Sequence, residues 1–269
     1  MCDRYASEFA EFLQRRLADQ GFNASSSRRL ALSLDIMLGK KQVYQQQPMQ
    51  FYFPELPQIQ FFDRDQFPWL DVVEAATGDI RAELKEIMQQ DSNAFAPYVE
   101  ALATRARISS DAGLTASPQW SAFYLVRNGE VIERNAERCP KTMKAVEKVP
   151  FDRIPGKTPS VLFSQLLPGA RIPPHTGFTN TRLICHLGVI VPEGCGFRVG
   201  NETREWQEGK SWVFDDTIQH EAWNHSRHTR VILLFDIWRP ELLAEERRLV
   251  SVLLEAITAY RADPEEWKI

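Results

Sequence analysis

From Trp120 to Trp238 the chain is a close succession of short strand-like runs, and this stretch constrains the fold more than any other. SAFYLVR-NG-EVIE comes first; after a short helix at 140–148 follow PSVLFSQLLP, TRLICHLGVIV, GFRVG, TREW, KSWVFD, HEAWNH and TRVILLFDIW. Asn128 and Gly129 read as a hairpin turn, because a two-residue turn of that kind needs positive φ at both positions. Gly194, Gly196, the Gly200–Asn201 pair and Gly209–Lys210 mark later links. Short strands with turns about every 8–12 residues imply a sandwich or barrel, since a βαβ array would place a helix between successive strands.

Helices flank this core. Residues 3–20 and 27–41 carry apolar side chains at helical spacing (Phe9, Phe12, Leu13 and Leu17, then Leu30, Leu32, Leu34, Ile36 and Met37), with the serines before the second run expected to cap it. The segment 45–68, QQQPMQFYFPELPQIQFFDRDQFP, is rich in proline and aromatics and predicts an extended strap on a surface. A helix is expected to start at Pro68 and break near Thr77–Gly78, and another closes the chain over PELLAEERRLVSVLLEAITAYR.

The candidate chemistry is concentrated. All five histidines, His175, His186, His220, His225 and His228, lie between positions 175 and 228, and none precedes them. Imidazole ligates Zn, Cu, Fe and Ni. The local zinc patterns HExxH and CxxC are absent, and His175 and His220 are too far apart for a helical pair, so they can meet only across a folded sheet. Taken singly, each histidine reads first as a surface or hydrogen-bonded core residue, and it is their clustering with a buried-looking arginine that points to a site. Alternation places Arg182, Ile184, His186 and Gly188 on one side of their strand, and Arg230 in register with Ile232 and Leu234 on the last. An arginine inside a barrel is costly unless an anion pairs with it. Either a carboxylate ligand is held by the guanidinium fork or Arg230 pairs with an Asp or Glu of the protein. Two imidazoles on a metal and an arginine reaching for a carboxylate are the parts of a site for a chelating 2-oxo acid. Asp215 and Asp216, in FDD before His220, either orient an imidazole or form a turn.

Composition excludes some classes. A net charge of −4 with no concentrated Lys/Arg run argues against nucleic acid as a partner. MCDRYASEFAEFLQRR lacks the apolar region of a signal peptide, no apolar run is long enough to span a membrane, and Cys2, Cys139, Cys185 and Cys195 are irregularly spaced. The expectation is a cytoplasmic protein with reduced thiols.

The stretch HTGFTNTRLICHLGVIVPEGCGFRVGNETREWQEGKSWVFDDTIQHEAWNHSRHTRVILLFDIWRPEL resembles the catalytic domain of the aspartyl/asparaginyl β-hydroxylase family, and the resemblance extends from about Phe51, in FYFPELPQIQFFDRDQFPW, to Leu242. That family comprises iron(II)- and 2-oxoglutarate-dependent oxygenases on a double-stranded β-helix, or jelly roll. The resemblance implies a mainly β protein with flanking helices: an N-terminal helical pair over 1–47 and an oxygenase domain over 48–269. Within the domain it implies a cupin-like core at about 118–240 and a C-terminal helix at 240–262. It further implies Fe(II), 2-oxoglutarate and O2, with His175 and His220 as the iron ligands. Most oxygenases of the wider superfamily add a carboxylate two residues after the first histidine; here, as in this family, a glycine, Gly177, stands there. Arg230 and Ser164 are implied to hold the distal carboxylate of 2-oxoglutarate, His186 to lie near its 1-carboxylate, and Trp120 to contribute to the same pocket.

Two departures bear on the substrate. The animal enzymes carry an arginine for the 1-carboxylate where this chain has Ile184; either Arg182, which shares that face, takes its place, or the anchor is missing and His186 is the only neighbour of that carboxylate. The cysteine pair near their substrate cleft is also missing, since Cys139 has no near neighbour in sequence. The expected substrate is a peptide, protein or amino-acid derivative hydroxylated at an unactivated C–H bond, such as an Asp or Asn residue. The alternatives are an acyl chain, as for the related lipid A hydroxylases, or a jelly-roll module that binds a carboxylate without catalysis.

Overall fold

The computed structural model describes residues 2–91, 93–98 and 117–262. The parts of the expected 48–269 domain at 99–116 and 263–269 lie outside the described residues. The chain divides into two compact units, 1–44 and 45–269.

The first unit holds α1 (Cys2–Ala18) and α2 (Arg28–Met37). Ser27 stands at the N-cap of α2 but makes no side-chain cap. The preceding serines are drawn into a local turn instead: the amide and hydroxyl of Ser25 donate to Asn23 Oδ1 at 2.8 and 2.9 Å. The helix stops short of the expected residue 41 because Gly39 enters the left-handed region (φ 69°). Its amide and that of Lys40 donate to the carbonyls of Ile36 and Asp35 at 3.0 and 2.8 Å, a Schellman closure.

In the second unit the strap at 45–67 is largely extended, with a turn at Pro54–Glu55 and a 3-10 turn at Arg64–Gln66. Isolated bridges tie it to the loop before the strand Arg182–Ile190, Phe51 to Thr179, and to the strand Ser211–Phe214, Phe61 to Phe214. The helix expected from Pro68 is split at Ala76 into α3 (Leu70–Ala75) and α4 (Thr77–Gln90). The remaining elements are β1 (Ala96–Pro97), β2 (Trp120–Arg127), β3 (Glu130–Val131), α5 (Glu133–Ala136), α6 (Pro140–Ala145), β4 (Val161–Leu166), β5 (Arg171–His175), β6 (Arg182–Ile190), β7 (Cys195–Val199), β8 (Glu202–Glu205), β9 (Ser211–Phe214), β10 (His220–Asn224), β11 (Arg230–Trp238) and α7 (Ala244–Ala262). Asn128 and Gly129 carry φ of 54° and 85°, as the hairpin requires. The last helix begins later than residue 240, where the amide of Leu243 donates to Glu246 Oε2 at 2.7 Å, half of a capping box.

Two sheets form a jelly roll. The larger runs β1-β2-β4-β11-β6-β9 with β3 beside β2, and the smaller runs β5-β10-β7-β8. Each face of the larger sheet has its own task, and parity assigns them. Leu183, Cys185, Leu187 and Val189 of β6, with Val231, Leu233, Phe235 and Ile237 of β11, pack against Leu70, Val73, Ile80, Leu84 and Ile87 of α3 and α4. The alternate residues face the smaller sheet across a cavity. Truncating any of these fully buried aliphatics to Ala would cost about 2–5 kcal/mol, so the helix side anchors the sheet whose other face carries polar groups. Cys139, Cys185 and Cys195 are buried free thiols. Among the described residues no helix is long and apolar enough to cross a membrane.

The sequence reading misses β5, because RIPPH places two prolines in a row. It is an edge strand of the smaller sheet, where a missing amide donor is tolerated.

Candidate active site

β5 and β10 are antiparallel neighbours, and their pairing sets His175 opposite His220. The ring centroids are 4.1 Å apart. Nδ1 of His175 lies 2.8 Å from the carbonyl of Pro173, and Nδ1 of His220 lies 3.1 Å from that of Ile218. With the proton on Nδ1 donated to these carbonyls, each Nε2 keeps its lone pair for a cation. Burial pulls both imidazoles below the usual histidine range, His220 well below it with His175 adding to the effect. Neutral imidazole is the ligating form. Neither aspartate of FDD holds an imidazole side chain in place: Asp215 Oδ1 accepts from the amide and hydroxyl of Thr217 and Oδ2 from Gln46 and Arg239, while Asp216 accepts from Arg182. Backbone carbonyls do the orienting that the sequence reading weighed for these carboxylates.

Gly177 is fixed by its surroundings. Its amide donates to the carbonyl of Asp216 at 2.7 Å, and a β-carbon at 177 would fall inside the Asp216 carboxylate. No third His, Cys, Asp or Glu completes a metal-binding group with the pair among the described residues.

Across the same cavity Arg230 is 1% exposed. Its Nη1 donates to the carbonyl of Ser164 at 3.2 Å, its guanidinium carbon lies 4.8 Å over the Trp206 ring, and Nε has no partner. Burial lowers its pKa to about 10. No carboxylate of the described residues pairs with it, so the reading in which Arg230 is neutralised by an Asp or Glu of the protein falls away. Ser164, on β4, accepts from the indole Nε1 of Trp120 at 3.3 Å, and Tyr98 stacks on Trp120 with centroids 4.2 Å apart. His186, on β6, is buried and its Nδ1 is unpaired. Burial, then the charge of Arg230, holds it well below the ordinary histidine value and neutral.

Arg182 lines this cavity too, on the face that parity predicts. Its Nη1 is 2.7 Å from Asp236 Oδ1 and its Nη2 is 3.1 Å from Asp216 Oδ2. Held by two carboxylates, it is the centre of an ion-pair cluster, in place of the free 1-carboxylate anchor that the sequence suggested as a substitute for an arginine at Ile184. The cavity measures about 220 Å³ and gathers His175, His186, His220, Trp120, Ser164, Arg182 and Arg230. His225 and His228 are exposed and do not line it. Trp206 is the site residue that sequence reasoning missed. TREW shows it as a strand end, and nothing in that pattern announces a platform beneath Arg230.

Fold and cavity together define a jelly-roll protein with a paired-imidazole centre and a buried cation on its inner wall. A family model described as aspartyl/asparaginyl beta-hydroxylase matches residues 74–240, and the chain belongs to that family of hydroxylases. It is similar to the ornithine lipid ester-linked acyl 2-hydroxylase of Rhizobium tropici, 39% identical over 183 residues that cover 66% of this chain and 60% of that protein. It is similar also to the aspartyl/asparaginyl beta-hydroxylase of Mus musculus, 40% identical over 148 residues covering 54% of this chain and 20% of that one. The aspartate beta-hydroxylase domain-containing protein 2 of Homo sapiens is 31% identical over 212 residues, 77% of this chain and 55% of the relative. The chain thus matches less than two thirds of the length of each.

Proposed function

We propose that the protein is an iron(II)- and 2-oxoglutarate-dependent hydroxylase of an acyl chain in a lipid ester. One observation carries the co-substrate: Arg230 is a fully buried guanidinium with no carboxylate partner among the described residues, and it faces the cavity that holds the imidazole pair. A buried unpaired charge is retained against a cost of several kcal/mol, and a carboxylate supplied by a ligand removes that cost.

The residues present fit the implied groups. Nε2 of His175 and Nε2 of His220 would hold iron(II), and Arg230 with the Ser164 hydroxyl would hold the distal carboxylate of 2-oxoglutarate. Iron(II), when bound, supplies the oxidative chemistry that converts 2-oxoglutarate, O2 and a C–H bond into succinate, CO2 and an alcohol. The chain's part is placement. The Pro173 and Ile218 carbonyls fix the imidazole tautomers, and the Trp206 face confines the Arg230 plane. His186 stays neutral next to Arg230, so it can meet a second carboxylate as a hydrogen-bond donor without adding charge. Trp206, Phe197 and Phe214 wall the space against water.

The acyl reading rests on the rest of the cavity wall. Met49, Ile172, Phe178, Ile184 and Leu234 are apolar, and Arg182, the further cation on the wall, is already held by two aspartates. The Rhizobium relative's name gives the same substrate chemistry. A second reading, hydroxylation of Asp or Asn in a peptide or protein, draws on the name of the mouse relative, but an Asp substrate asks for a cation to meet its carboxylate and an Asn substrate for polar partners to its amide, where these wall residues are apolar. Incubation of the iron-loaded protein with 2-oxoglutarate, O2 and either ester-linked lipids or an Asp/Asn peptide library separates them. Succinate with a one-oxygen gain on the acyl chain is the expected product. A gain on peptide alone supports the second reading, and no succinate with either leaves a carboxylate-binding module.

A further inference from the structure

The C-terminal helix is apolar on two sides. Val250, Leu254 and Ile257 pack inward with Phe51, Phe53, Phe178 and Trp238. On the other side Leu249, Val252, Leu253 and Tyr260 are 51, 53, 43 and 56% exposed. With exposed Ala256 they fall at i, i+3, i+4, i+7 and i+11, one stripe of an α-helix. Between Leu249 and Tyr260 the single charged residue is Glu255. A solvent-facing helix side is ordinarily polar, so a stripe of this kind marks a contact surface.

The helix that carries the stripe packs against the cavity wall. Phe178 lies against the inner face of α7 and also lines the cavity. Met49, another lining residue, is 39% exposed, and Tyr52, next to Phe51 and Phe53 on the strap, is 50% exposed. Cationic side chains flank this rim: Lys157 Nζ lies 5.0 Å over the Phe178 ring, and exposed Arg153 abuts α7, where its carbonyl accepts from Ser251 Oγ at 3.3 Å. The twelve residues from Leu249 to Tyr260 give a stripe about 16 Å long, and its exposed area, on the order of 450 Å², is short of the ~800 Å² per partner that a stable dimer buries. An apolar helix face with basic neighbours, on an element that packs against the cavity wall, has the chemistry of a lipid-surface contact.

We propose that the outer stripe of α7 and the Met49–Phe178 rim dock the protein on an anionic lipid surface, so that the cavity opens onto acyl chains within it. This rests on the acyl-ester reading above. The full chain is sedimented with vesicles of phosphatidylethanolamine and phosphatidylglycerol, and it is expected to pellet with them. Val252→Glu/Leu253→Glu is expected to lower the bound fraction ~tenfold or more with an unchanged melting curve, because both side chains are exposed. Leu249→Gln, which keeps helix propensity, gives the same readout with a weaker effect should the double variant lose its fold. A chain that stays in the supernatant, or variants that bind as the parent does, overturn the proposal. So does a dimer in sedimentation velocity that the variants convert to monomer while vesicles are ignored, for then the stripe joins two copies. Turnover of the acyl ester in detergent micelles is read separately. Micellar turnover without vesicle binding removes the docking surface alone, whereas stripe-dependent vesicle binding without turnover upholds docking and removes the acyl reading alone.

Discussion

The carboxylate of Asp216 occupies the space that a β-carbon on Gly177 would need. Arg182 holds that carboxylate in place from one side at 3.1 Å, and the Gly177 amide is tied to the Asp216 carbonyl. Position 177 therefore cannot receive a metal-ligating side chain while the Asp216–Arg182 pair stands. The glycine at 177 is a packing consequence of a buried ion pair.

Gly177→Asp is accordingly expected to destabilise the fold by about 2–4 kcal/mol, through overpacking and the broken pair, and to leave iron affinity no higher than in the parent. Thermal denaturation and anaerobic iron titration check both parts. Gly177→Ala/Asp216→Ala should be more stable than Gly177→Ala alone, because removing the carboxylate vacates the site while Asp236 keeps Arg182 paired. A Gly177→Asp protein as stable as the parent contradicts this account.

Arg230→Met should act in opposite directions on stability and binding. Replacing a fully buried, unpaired guanidinium with an apolar chain of similar length is expected to raise the stability of the unliganded protein by about 1–3 kcal/mol. The same change should weaken 2-oxoglutarate binding by roughly 2–5 kcal/mol, and Arg230→Lys should recover only part, for lack of the planar fork. Melting curves and calorimetric titration are the two measurements. A destabilised Arg230→Met protein would mean that the guanidinium already has a partner in the folded chain.

Asp152 is fully buried, neither oxygen has a hydrogen-bond partner, and burial together with the charge of Asp236 pushes its carboxyl up to about 8. A carboxyl whose folded pKa is raised above its unfolded value binds a proton in the folded state that the unfolded chain has released. Its contribution to stability therefore declines from about pH 4 to about pH 8. Asp216, raised to about 6 chiefly by burial, acts in the same sense over a narrower window, whereas His175 and His220, lowered by burial, oppose it below pH 6.5. The difference between the parent and Asp152→Asn isolates one group. The variant's relative stability should rise with pH across that window in urea titrations; a constant difference would mean Asp152 is ionised in the fold.

The sequence made the β core legible because short strand-like runs are separated by turn residues, and the parity of β6 and β11 placed His186 and Arg230 on the cavity face. It was less informative where backbone does the work. Carbonyls orient both imidazoles, and no side chain advertises them. The partners of Arg182 lie in β11 and in the loop before β10, so their meeting is a property of the closed sheet. The N-cap at Ser27 failed because Asn23 competes for the neighbouring hydroxyls, and β5 was hidden by prolines that only an edge strand accepts.

On the proposed function His175, His220 and Arg230 form one site for iron(II) and 2-oxoglutarate. Anaerobic titration of 2-oxoglutarate into the iron(II)-loaded protein reads that site through the weak visible charge-transfer absorption of the chelate. A saturable band is expected in the parent, no band at comparable iron in His175→Ala or His220→Ala, and in Arg230→Ala a band that needs at least about tenfold more 2-oxoglutarate. Absence of the band in the parent, or an unchanged titration in Arg230→Ala, would contradict the account.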